Sequence, residues 1–75
     1  MIDILPDERL TLRYPILALL AWQHLPDELA AVSQPICECG WALARANPDG
    51  SAEIATALRR LREAKDAAVG AALDK

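Results

Sequence analysis

Phenylalanine is absent from the 75 residues, histidine and methionine occur once each and cysteine twice, so the side chains that usually carry chemistry are scarce. The single histidine, His24, has no serine or cysteine beside it in a nucleophile arrangement, which leaves a catalytic triad without support. Glu38, Glu53, Glu63 and Asp66 sit among basic residues without metal-ligand or acid/base spacing, and no segment reads as a phosphate-cradling loop. Cys37 and Cys39, two apart, would point about 200° apart on a helix. They can neither bridge each other nor share one metal there, and they read as packing residues in a reducing compartment. These features exclude the common enzyme classes, and the chain reads as non-enzymatic.

Charge of one sign is also in short supply. Eight lysines and arginines against 11 acidic residues give a net charge of −3 and a pI near 4.9. Non-specific affinity for DNA or RNA comes from cations neutralising phosphates, so a protein that coats either polymer is excluded. A small anion needs only a local cluster, and Arg59, Arg60, Arg62 and Lys65 supply one within two helical turns. Long apolar runs are missing too. The run from Ile16 to Trp22 is far below the roughly 20 residues that span a bilayer, and the N-terminus is acidic, so neither a membrane partner nor a secretory signal is expected. The expected location is cytoplasmic.

What is present is helix. Hydrophobic residues make up 53% of the chain, much of it alanine, and small residues let helix backbones approach closely. A chain this short buries only about 60% of its unfolded surface, so self-association is the natural remedy. Leu5-Pro6-Asp7-Glu8 and Leu25-Pro26-Asp27-Glu28 both read as helix starts, with proline at the first helical position and carboxylates at the positive end of the dipole. Tyr14-Pro15 interrupts the opening segment and leaves a short helix followed by an apolar turn or helix. From Pro26, the residues Leu29, Val32, Ile36, Cys39, Leu43 and Ala46 form a seam at alternating spacings of three and four. The seam keeps phase across Pro35, which predicts a kinked helix with Ser33 capping its second part.

Asn47-Pro48-Asp49-Gly50 then reads as a chain-reversing turn, with Ser51 capping the last helix and Glu53 in its first turn. Ile54, Ala57, Leu61, Ala64, Ala68 and Ala71 continue the spacing, so two seams can face each other in an antiparallel hairpin. The expected fold is therefore all-α and a single domain: an N-terminal helical segment over 1–24, a kinked helix over 25–47 and a C-terminal helix over 51–74, assembling as a homo-oligomer. Arg59 with Glu63 and Arg62 with Asp66 have the i,i+4 spacing of exposed ion pairs, the plain reading of the charge cluster. Tyr14, Trp22 and Trp41 are the only aromatics, by default core or subunit-interface residues. Trp22 borders the break Gln23-His24-Leu25-Pro26, where a loop can present an indole to a ligand.

Trp22 near a proline-started helix, a long apolar second helix, the Pro-x-Gly turn and then Ala57-Leu58-Arg59-Arg60-Leu61-Arg62-Glu63-Ala64 together resemble the small phage anti-CBASS cyclic-nucleotide sponges. The likeness runs over residues 22–73 and includes the small-residue tail Ala67-Ala68-Val69-Gly70-Ala71-Ala72. It implies a helical protomer that assembles into a homo-oligomer, commonly a hexamer, in the cytoplasm of an infected bacterium. Such proteins hold cyclic di- or trinucleotides between subunits and withhold them from an immune effector, breaking no bond and using no cofactor. The family's aromatic-His-Pro-Pro stretch is here Trp22-Gln23-His24-Leu25-Pro26, and its basic residue early in the second helix falls on Ala30 or Ala31. The resemblance places Trp22 at the aromatic position, which would stack on a base, and Arg60 at the basic position between the helix leucines; the expected ligand-binding set is Trp22, His24, Arg59 and Arg60. A reading of another class is a small helical inhibitor or adaptor that engages a protein partner through apolar and acidic surfaces.

Overall fold

The computed structural model describes residues 6–74, with side chains from residue 8 onward; the first five residues of the expected N-terminal segment and Lys75 lie outside the described residues. The described residues form helices and no strands: α1 (Pro6–Arg13), a 3-10 helix (Pro15–Leu19), α2 (Asp27–Ala46) and α3 (Ala52–Leu73). Pro6 opens α1, as its fixed φ favours, whereas Pro26 caps α2 from one position outside, its carbonyl accepting from Ala30 N at 2.8 Å. Tyr14, held extended before Pro15 at φ −128° and ψ 81°, ends α1 where the sequence breaks.

The turn between α2 and α3 forms as its residues dictate. Asn47 O accepts from Gly50 N at 3.3 Å, and Gly50 takes φ +94°, a conformation that disfavours any side chain. Ser51 Oγ accepts from Ile54 N at 3.3 Å and so satisfies one of the orphan amides at the start of α3. The result is the expected antiparallel hairpin, with the N-terminal segment laid over one face of it.

Two expectations need correction. α2 continues as one helix across Pro35, but Ser33 caps nothing in it, its Oγ being buried without a hydrogen-bond partner. Pro35 and Ala31, whose carbonyl loses its donor to the proline ring, are both exposed, so water can replace the missing bond on the outer side of the helix. The buried stripe of α2 is also one residue further round than the apolar seam. Ser33, Cys37, Gly40 and Ala44 are fully buried, Leu29, Val32, Ile36 and Leu43 flank them half-buried, and Cys39 and Ala46 face solvent. On α3 the buried position is Leu58, flanked by half-buried Ile54, Ala57, Leu61 and Ala68, while Ala64 and Ala71 are exposed.

Close approach explains the shift: the innermost line of α2 holds its smallest residues. A methyl built on Gly40 would lie 2.7 Å from Leu20 Cδ1, 3.4 Å from Leu58 Cδ2 and 3.5 Å from Leu61 Cδ1. Around that contact the core gathers Leu10, Tyr14, Leu17 and Leu20 from the N-terminal segment with Cys37, Ala44 and Leu58 from the hairpin. Each fully buried leucine contributes about 1.5–3 kcal/mol. Polar bonds then pin the segment to the hairpin: Tyr14 Oη donates to Asn47 O at 2.7 Å, Trp41 Nε1 to Leu20 O at 3.0 Å and Lys65 Nζ to Leu19 O at 2.9 Å. No described helix is long and apolar enough to cross a membrane.

Candidate functional site

The Trp41–Leu20 bond fixes the wall of an open cleft of about 200 Å³ at the junction of the N-terminal segment and α2. Leu20, Ala21, Trp22 and Gln23 form one side, and Glu38, Trp41 and Arg45 form the other. Spacings of three and four place Glu38, Trp41 and Arg45 in one line along α2. The connection after the 3-10 helix leaves Leu20 at φ −97° and ψ 63° and continues through Ala21, Trp22 and Gln23 along the other side of the cleft. Both tryptophans of the chain therefore line one cleft.

The polar groups of the cleft are held. The guanidinium carbon of Arg45 lies 5.5 Å from the centre of the Trp41 ring, a cation–π contact. Glu38 Oε1 accepts from Gln34 Nε2, one turn earlier, at 2.7 Å, and Gln23 Oε1 accepts from Trp22 N at 3.1 Å, a bond that leaves the Gln23 amide nitrogen unused. The cleft thus offers flat apolar faces, a carboxylate, an amide donor and a guanidinium, all on half-buried or exposed residues that a ligand can reach.

Of the residues expected to bind ligand, only Trp22 lines this cleft. His24 is exposed in the turn that follows it. Arg59 and Arg60 stand on the exposed face of α3, where Arg59 Nη2 donates to Thr56 Oγ1 at 3.4 Å and Arg60 Nη1 reaches Glu63 Oε2 at 3.2 Å. Glu63 is thus paired with Arg60, at i,i+3, and not with Arg59; the Arg62–Asp66 pair is present at 3.9 Å. Lys65 leaves the basic cluster altogether, since its ammonium binds Leu19 O. Within one chain the structure does not bring Trp22 together with Arg59 and Arg60.

Sequence reasoning missed Glu38, Trp41 and Arg45. Their signal is the spacing of 38, 41 and 45, which sets them in one line on α2 beside the apolar seam. Trp41 is half-buried and packs against the core, its Nε1 anchored on Leu20 O, and it also lines the cleft.

Cys37 is not a candidate for covalent chemistry. Burial pushes the Cys37 thiol above its ordinary value of 9.0 and Glu38 adds to the rise, while the Lys65 ammonium works against it. The net result is a protonated, poorly nucleophilic sulfur. Among the described residues no group of three or more histidine, cysteine or carboxylate side chains is placed to hold a metal ion. No protein-family model, curated protein or solved structure shows a significant match to the chain, so the functional reading stands on this geometry.

Proposed function

We propose that the protein is a non-enzymatic binding protein that sequesters cyclic di- or trinucleotide immune signals, each chain receiving one base in the Trp22–Trp41 cleft. The observation that carries this reading is the convergence of both tryptophans with Arg45 and Glu38 at one open cleft. Base stacking on an aromatic ring is worth about 1–3 kcal/mol per base, and a guanidinium at the rim suits a phosphate. At about 200 Å³ the cleft falls below the roughly 300–1,000 Å³ of a site for a drug-sized ligand. A cyclic oligonucleotide must then be shared between copies, in line with a homo-oligomer that binds its ligand between subunits. Arg59 and Arg60, exposed on α3, are available to a ligand held by a neighbouring copy.

The test is calorimetric titration with a panel of cyclic di- and trinucleotides, followed by heat denaturation and chromatography of the released ligand. Tight binding with intact recovery supports sequestration, and silence across the panel refutes it. Trp22→Ala should abolish binding while the helical circular dichroism is kept. A second reading, a helical inhibitor or adaptor acting on a protein partner, is favoured by the exposure of Leu12 (70%) and Leu73 (67%). It predicts that nucleotide-free protein captures one host protein stoichiometrically and that Leu12→Ser with Leu73→Ser abolishes the capture.

A further inference from the structure

We infer that the base taken by the cleft is guanine, selected by the Glu38 carboxylate. This inference rests on the reading of the cleft as a base site and names the base. The selection follows from matching donors to acceptors. Glu38 lines the cleft together with the two tryptophans, its Oε1 accepting from Gln34 Nε2 at 2.7 Å, so the lining includes an acceptor-only group whose other oxygen is not used by that bond. Guanine alone among the common bases presents two adjacent donors, N1–H and N2–H, on its pairing edge, and a carboxylate accepts both as a bidentate pair.

Adenine and cytosine set a ring-nitrogen lone pair beside their single amino group, and uracil flanks its one N–H with two carbonyls, so each would press a lone pair against the carboxylate. On the same side as Trp22, the Gln23 amide keeps its oxygen on Trp22 N and leaves its NH2 as a donor suited to guanine O6. A cationic ligand, the other natural guest of aromatic faces and a carboxylate, is disfavoured because Arg45 already lies over Trp41.

The experiment titrates the full chain with GMP, AMP, cyclic di-GMP and cyclic di-AMP, and repeats the series with Glu38→Gln and Gln34→Ala. A bidentate pair predicts a preference of GMP over AMP of about 5- to 150-fold. Glu38→Gln, a change at an exposed side chain, should erase or reverse that preference, weakening GMP and strengthening AMP, whose N1 lone pair and N6 amino group match a carboxamide, and Gln34→Ala should reduce it in part. No preference, a preference for adenine, or a guanine preference that survives Glu38→Gln overturns the inference. Cyclic di-GMP and cyclic di-AMP bound equally tightly would overturn guanine selection and leave sequestration standing. GMP bound selectively with every cyclic dinucleotide refused would sustain guanine selection and refute sequestration.

Discussion

Replacing Gly40 with alanine adds one methyl at the closest point of the hairpin. Its new carbon would sit 2.7 Å from Leu20 Cδ1, so that methyl must retreat by roughly 0.7 Å or more to reach ordinary contact. Leu20 is fully buried and its carbonyl is held by Trp41, which leaves the side chain little room. Overpacking of this kind costs about 1–3 kcal/mol. Against it stands the gain of about 1 kcal/mol for alanine over glycine inside a helix. The net loss is therefore about 1 kcal/mol, which in a domain of this size lowers Tm by about 4–8 °C. Gly70 is the internal control: it lies in α3 with nothing within 4 Å of the added carbon, so Gly70→Ala should stabilise by about 0.5–1 kcal/mol. Urea denaturation followed by circular dichroism gives both values. If Gly40→Ala stabilises the protein as much as Gly70→Ala does, the close approach of Leu20 to α2 is refuted.

Ser51→Ala removes the α3 cap and should cost about 0.5–2 kcal/mol in the same assay. Tyr14→Phe removes the bond to Asn47 O; because Gly50 N still donates to that carbonyl, the loss should stay near the lower end of about 0.5–1.5 kcal/mol. A thiol reagent should modify exposed Cys39 quickly and Cys37 only as the protein unfolds; two equally fast thiols would contradict the burial of Cys37. The raised Cys37 pKa also fixes a sign. The folded state holds that proton more tightly than the unfolded chain, so the associated stability is full below 9.0 and is lost as pH rises through the folded-state value. Cys37→Ala should therefore show a flatter alkaline decline in its urea midpoint than the parent protein.

Much of this architecture was legible in the residues because it is local. Tyr14-Pro15 and Asn47-Pro48-Asp49-Gly50-Ser51 carry backbone constraints that no packing needs to supply, and the structure places breaks and a cap at them. The buried line of α2 was not legible in the same way. Counting apolar residues selects Leu29, Val32, Ile36 and Leu43, whereas close helix approach selects Ser33, Cys37, Gly40 and Ala44, whose merit is size. The cleft was half legible. Trp22 stands out because it borders a break, whereas Glu38 reads as an ordinary solvated carboxylate and Arg45 carries no local signal of its own, and the two join Trp22 only where the N-terminal segment folds back beside α2. That return depends on contacts far apart in sequence, such as Trp41 Nε1 to Leu20 O, which no local pattern announces.

The most direct test of the account exploits the fact that the chain has only two tryptophans, both lining the cleft. Nitrogen-15 labelled protein is titrated with cyclic di-GMP, and the two indole Nε1–H resonances are followed. The account predicts that both move together and saturate at one base per chain; movement elsewhere in the spectrum with both indoles unmoved would contradict it.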